Sequence, residues 1–137
     1  MDSLAQLSAD AAQKFKKFKI KRDPENCALI LVIKGTTIEV EAEFDKKPLE
    51  ELQEELPEVE PRFVVYSYKY PRSDGRVTYP LVLIYYSPTG INPRESMIYT
   101  SSLGLLQTAL PGVQRSYTVK DVEQINDEWM LEQLKKF

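Results

Sequence analysis

Pro61-Arg62-Phe63-Val64-Val65-Tyr66-Ser67-Tyr68-Lys69-Tyr70 (residues 61–70) is followed by Pro71-Arg72-Ser73-Asp74-Gly75, and then by an apolar run ending Leu81-Val82-Leu83-Ile84-Tyr85-Tyr86. β-branched and aromatic residues fill both flanks, and the five residues between them are turn formers. The segment therefore reads as two long strands, Phe63 to Tyr70 and Arg76 to Tyr86, joined as a hairpin. Pro80 has no N–H to give to a ladder, which implies a bulge or an edge at that point. Ser87-Pro88-Thr89-Gly90 stops the second strand.

Toward the amino terminus, Pro48 opens a short helix with Leu49, Leu52 and Leu56 inward, and Pro57 ends it. Ile38, Val40, Ala42 and Phe44 alternate with Glu39, Glu41 and Glu43, the pattern of a half-buried strand. Cys27 to Ile33 is unbroken and reads as a strand buried on both faces. Leu7, Ala11, Phe15 and Phe18 recur four, four and three apart as a helical stripe, with Ser8 as cap.

Toward the carboxyl terminus, Asn92-Pro93-Arg94-Glu95 reads as cap, first-turn proline and returning carboxylate. The helix it starts runs to about Leu110, with Pro111-Gly112 closing it and Ile98, Ser102, Leu105, Leu106 and Ala109 inward. Its outward stripe is Arg94, Met97, Ser101, Gly104 and Thr108. Val113, Arg115, Tyr117 and Val119 form a short strand, and Asp121 to Phe137 a last helix around Val122, Ile125, Trp129 and Leu134. The order αββαββαβα predicts an α/β (α+β) fold, in which a mixed sheet of five to six strands is sandwiched between helices. At 137 residues the chain is expected to form one domain over residues 1–137.

The absence of histidine excludes Ser-His-Asp chemistry, Cys-His pairs and imidazole metal ligands. One cysteine, Cys27, excludes an internal disulfide and a multi-thiolate zinc site. No phosphate-cradling glycine loop occurs, and Ser101-Ser102 lacks a base or a Ser-x-x-Lys pattern. The expectation is a protein that is not an enzyme, with no metal and no cofactor.

The net charge of −3 disfavours nucleic acid as a partner. A lone thiol suits a reducing compartment. Met1-Asp2-Ser3-Leu4 lacks a secretory start, and no apolar run approaches the roughly 20 residues of a membrane span. A cytoplasmic protein is expected.

Charge is nonetheless segregated. Lys14, Lys16, Lys17, Lys19, Lys21 and Arg22 cluster early, while residues 39–60 carry ten acids against two lysines. The acidic run reads as a solvated face. The basic run reads either as a solvated helix face or as a docking patch for an acidic protein. A methionine among small polar residues on the outward face of a long helix suits insertion into a partner's groove. Gly104, in that helix's interior, is either kept for close approach or tolerated.

The element order, the size and the long helix with Met97-Ile98-Tyr99-Thr100-Ser101-Ser102 resemble the actin-depolymerising-factor homology (ADF-H) family. Within it, the Pro61–Tyr70 run is similar to the glia maturation factor family. So are Asp74-Gly75-Arg76-Val77, Tyr79-Pro80-Leu81, Ser87-Pro88 and the block Glu51, Leu52, Glu55, Leu56, Pro57. That resemblance implies an ADF-H fold and a non-catalytic cytoskeletal regulator at cortical actin structures. Its partner would be the actin-related protein 2/3 complex, whose nucleation of branches it inhibits and whose existing branches it dissociates.

Cofilin-like members carry basic residues where this chain has Arg94 and Ser96, a lysine where it has Leu103, and a basic pair where it has Gln107-Thr108. Only Arg94 keeps the charge, so weak or no binding to actin itself is expected. Leu103-Gly104 also departs from the charged or polar residues of animal glia maturation factors. The alternatives are a cofilin-like actin monomer- and filament-binding depolymerising factor, and an adaptor for acidic lipids.

Arg94, Met97 and Ser101 are the expected groove contact, assisted by Lys19, Lys21 and Arg22. Arg72, Asp74 and Arg76, with Glu128, form a candidate second surface. Ser3 is a candidate phosphorylation switch, and a monomer is expected.

Overall fold

The computed structural model describes residues 5–135. In chain order the strands are β1 (Gln6–Leu7), β2 (Cys27–Lys34), β3 (Thr37–Phe44), β4 (Arg62–Ser67), β5 (Tyr70–Pro71), β6 (Val77–Thr78), β7 (Leu81–Tyr86) and β8 (Val113–Val119). The helices are α1 (Ala9–Lys19), α2 (Leu49–Leu52), α3 (Pro93–Ala109) and α4 (Asp127–Lys135). Six strands form one mixed sheet in the order β1-β3-β2-β4-β7-β8. The inner ladders are antiparallel, and the outer pairs β1–β3 and β7–β8 are parallel.

The unbroken apolar strands take the middle of the sheet, where both faces are covered. All of β4 and the first six residues of β2 are buried. On one face Phe15 and Phe18 of α1 and Tyr99, Leu106 and Leu110 of the α3 segment pack against Leu29, Phe63, Val65 and Leu83. On the other, Leu49 and Leu52 of α2 and Met130 and Leu134 of α4 pack against Ile30, Val64, Tyr66 and Ile84. The expected mixed sheet sandwiched between helices is the observed one.

Three local expectations need correction. The order αββαββαβα omits β1: Gln6 and Leu7 pair with Thr37 and Ile38 before Ser8 starts the helix. Ser8 Oγ accepts the Ala11 N–H at 3.0 Å, the cap bond the sequence predicts.

The hairpin strands are not continuous either, because Pro80 cannot donate. The ladder stops at Ser67–Leu81, a single Tyr68 N–H to Pro80 O bond of 3.1 Å spans the gap, and β5 and β6 form a separate ribbon. Finally, the last helix is interrupted. Val122–Gln124 is a 3₁₀ turn, and Asn126 restarts the helix by accepting the Trp129 N–H at 2.8 Å.

Asn26, at φ 50°, marks a junction: its carbonyl accepts Lys47 N–H at 2.7 Å and its Oδ1 accepts Lys69 N–H at 3.2 Å.

Candidate functional site on the long helix

Helix α3 begins where the sequence places it. Asn92 Oδ1 accepts the Arg94 N–H at 2.8 Å, and Pro93 fills the first helical position, where its missing N–H leaves nothing unpaired. The side facing the sheet sets the rotation of the helix. Tyr99 is buried among Phe63 and Tyr85, with ring centroids 5.2 and 6.4 Å away, and its hydroxyl accepts the Ile33 N–H at 2.9 Å. Burial pushes the Tyr99 phenol above its ordinary pKa, although the Ile33 bond pulls the other way. Ser102 is fully buried, and its Oγ accepts the Ala5 N–H at 2.9 Å, tying β1's approach to the middle of α3. Leu106 completes this line.

The inward face is therefore Tyr99, Ser102 and Leu106, three and four residues apart. The sequence reading placed Leu105 inward, but Leu105 is exposed, and Ile98 and Ala109 lie on the half-buried flanks. The difference is one of phase. At about 100° per residue, a face centred on Tyr99 and Leu106 turns Leu105 well away from the sheet.

The outward positions are all exposed: Arg94, Met97, Ser101, Gly104 and Thr108. Met97 is 61% exposed and Leu105 39%. Leu105 is thus a surface residue that the sequence reading missed. The spacing of Tyr99, Ser102 and Leu106 is the signal that could have revealed it. Arg94 and Glu95 are the only charged residues in 93–109, so the face is apolar and small with one cation at its amino-terminal end.

The basic residues at the end of α1 divide. Lys19 is exposed and flanks the far end of α3. Its Cδ and Cε lie 3.6 Å from where a Cβ on Gly112 would stand, and its ammonium is 5.6 Å from the Phe15 ring centre. Lys21 is engaged within the fold, bridging Glu43 at 3.0 Å and Asp45. Burial works against its charge, but hydrogen bonds to Asp45 and Glu43 outweigh that and hold its pKa above the usual lysine range. Arg22 is exposed in a shallow hollow shared with Asp23, Asp45 and Lys46. The structure brings Lys19 to the end of α3 and uses Lys21 to fasten the α1–β2 turn.

The second candidate surface lies elsewhere. At the hairpin tip, Asp74 accepts the Arg76 N–H at 3.0 Å and its Nε at 3.1 Å, while Arg72 N–H donates to Arg76 O at 2.7 Å. Gly75, at φ +90°, makes that turn possible. Arg72 shares a hollow with Tyr70, Tyr79, Arg115 and Leu134, so the hairpin abuts the end of α4. Glu128 lies nearer the start of α4 and shares a hollow with Leu131, Glu132 and Lys135. Helix α4 covers the opposite face of the sheet from α3. Ser3 lies outside the described residues.

Among the described residues, no group of three or more His, Cys, Asp or Glu side chains could hold a metal ion, and no helix is long and apolar enough to cross a membrane.

A family model described as cofilin/tropomyosin-type actin-binding protein matches residues 4–135. Glia maturation factor beta of Mus musculus is 37% identical over 131 residues, which is 93% of this chain and 91% of that protein. Glia maturation factor of Drosophila melanogaster is 29% identical over 136 residues, 98% of each. The solution structure of glia maturation factor from Caenorhabditis elegans matches with a TM-score of 0.82 at 30% identity, covering 98% of this chain and 96% of that one. A crystal structure of Streptomyces griseoflavus cofilin shares the fold, with a TM-score of 0.84 at 21% identity over 97% and 98% of the two chains. The chain belongs to the cofilin/tropomyosin-type actin-binding family, in its glia maturation factor branch, and is a regulator in the actin machinery.

Proposed function

We propose that this protein binds the actin-related protein 2/3 complex, inhibits its nucleation of actin and promotes debranching of existing filaments. The observation that carries the reading is the exposed face of α3: Met97, Ser101 and Leu105 present apolar and small groups beside a single cation, Arg94. Such a face suits a groove that is entered by shape more than by charge. Kinship to glia maturation factors supports a groove of an actin-related subunit as the one entered. Residues here that differ from the basic positions of cofilin-like helices weaken the match to actin itself, because each lost charge pair at an interface can cost more than about 1 kcal/mol.

The activity requires no chemical step. A ligand shifts a two-state equilibrium only through unequal affinity for the two states. Tighter binding to the inactive or detached complex drains the active one, which slows nucleation and loosens branches together. Lys19 extends the α3 contact at its far end, and Arg22 adds a cation beyond the end of α1. The hairpin residues Arg72, Asp74 and Arg76, with Glu128, offer the second contact from the other face of the sheet.

The test is branch lifetime by single-filament microscopy with purified branching complex, and with unbranched filaments as control. Branches are expected to dissociate faster with the protein present, bare filaments to remain intact, and the effect to vanish with Arg94→Ala/Met97→Ala. Severed bare filaments with unchanged branches would overturn the proposal in favour of a cofilin-like depolymerising factor.

A further inference from the structure

Strand β3 is the last long strand on its side of the sheet, and β1 covers only two of its residues, Thr37 and Ile38. Ile38 O accepts the Ser8 N–H at 3.1 Å, so the backbone groups of residue 38 point away from β2. Antiparallel alternation turns those of Val40 the same way. The register then shifts. Val40 lies opposite Leu31 and Ala42 opposite Ile30, so Glu41 is an extra, bulged residue, and Glu43, opposite Leu29, is the next to point outward. Among the described residues, none pairs with the outward N–H and C=O of Val40 or Glu43. Two donors and two acceptors therefore stand open along this edge.

The charge beside them is one-sided. Residues 37–45 hold four acids, Glu39, Glu41, Glu43 and Asp45, and no base. Two cations reach them from elsewhere in the fold: Lys21 bridges Glu43 and Asp45, and Arg62 is shared between Glu41 and Glu60. With Glu60, five carboxylates face two cations, a surplus of three negative charges. Glu41 and Glu43 are exposed, while Val40, Ala42 and Phe44 are half-buried. Such an edge refuses a second copy of itself, because like charges directly opposite across a ladder destabilise it. It favours an incoming strand of opposite charge.

We infer that the outer edge of β3 at residues 40–43 is a β-augmentation site for an extended segment of a partner protein that carries lysine or arginine at alternate positions. Main-chain bonds to Val40 and Glu43 hold the segment, and its cations lie along Glu39, Glu41 and Glu43. The site shares no residue with the α3 face or the hairpin, and it does not rest on the function proposed above.

The test uses the whole protein with a capped peptide alternating lysine with valine; the control is the same peptide with glutamate for lysine. In the free protein the Val40 and Glu43 amides are expected to exchange rapidly with deuterium. The lysine peptide is expected to slow them at least about tenfold, and the glutamate peptide to leave them unchanged. Val40→Pro removes an outward donor and no ladder bond to β2, so it is expected to fold, as proline does on edge strands. It should bind the lysine peptide at least about fivefold more weakly, the scale of one lost hydrogen bond.

Equal slowing by the two peptides, or slowing confined to other amides, overturns the inference. So does slowing of the Val40 and Glu43 amides on concentrating the protein alone, the sign of an edge that pairs with a second copy. A folded Val40→Pro that binds as tightly as the unaltered protein overturns it as well. If that variant does not fold, exchange in the unaltered protein decides.

Discussion

Replacing Ser102 with alanine removes one oxygen from the centre of the molecule and leaves the Ala5 N–H without the partner it holds at 2.9 Å. Both residues are buried, at 0% and 1% exposure, so water cannot take over the bond in place. A buried donor left unpaired costs about 1–3 kcal/mol. The chain has one way of relief, which is to let β1 come away from β3 so that the amide reaches solvent. That route gives up the Gln6 N–H to Thr36 O bond of 3.0 Å and the Ser8 N–H to Ile38 O bond of 3.1 Å.

At about 1 kcal/mol each, and with Ala5 and part of Leu7 newly exposed, detachment is no cheaper than the penalty. Ser102→Ala is therefore expected to lose about 2 kcal/mol, or about 7 °C in Tm. Urea unfolding gives the global figure, and hydrogen exchange at the Gln6 and Ser8 amides shows whether the strand has loosened. Ser101→Ala is the control: one residue away but exposed, it should stay within about 0.5 kcal/mol of the unaltered protein. Equal urea midpoints for the two variants would refute the reasoning.

Two further outcomes follow from named contacts. Arg62 is 8% exposed and donates to Glu41 at 2.9 and 3.1 Å, to Glu60 at 3.2 Å and to the Pro61 carbonyl at 2.7 Å. In Arg62→Met the carboxylates of Glu41 and Glu60, 38% and 54% exposed, regain water. The expected loss in urea unfolding is about 1–2 kcal/mol, below the 3–5 kcal/mol typical of a fully buried pair, and a double-mutant cycle with Glu41→Gln should show coupling. The second outcome concerns pH. Hydrogen bonds from Ser8 and Thr37, each 2.7 Å, hold the Glu39 carboxyl below its ordinary pKa. Its contribution to stability is therefore present above about pH 4.3 and is lost as pH falls through the lower, folded-state value. Urea midpoints measured from about pH 5 to about pH 3 should fall more steeply for the unaltered protein than for Glu39→Gln, and equal slopes would remove Glu39 from the account.

What could be read in advance was whatever depends on neighbours in sequence. The unbroken run at Cys27–Ile33 and the turn residues at 71–75 gave the central strands and the hairpin. The Asn92-Pro93 cap located α3 to the residue. The errors arose where a distant partner decides. Gln6–Leu7 is a strand only because Thr37–Ile38 offers it an edge. Tyr99 wins the inward position from Leu105 because a phenol can both stack on Tyr85 and satisfy the Ile33 amide, which leucine cannot. Lys21 looked like its basic neighbours until Glu43 and Asp45, 22 and 24 residues away, came beside it. Arg94, Met97, Ser101, Gly104 and Thr108 of α3, by contrast, were legible, since the helical period alone places those five on one side.

The parallel pairing of β7 with β8 gives α3 a second part to play. Parallel neighbours cannot be joined by a tight turn, and the chain between Tyr86 and Val113 crosses over through α3. The β8 strand can dock only after that loop has closed and the helix has settled on the sheet, which makes this corner of the molecule slow to assemble. The element proposed to meet the partner is thus also the tether that keeps the edge strand on the sheet. A partner that grips α3 holds that tether shut, so the bound protein should release β8 far more slowly than the free one, and the lifetime of the complex and the lifetime of the fold at this edge become one quantity.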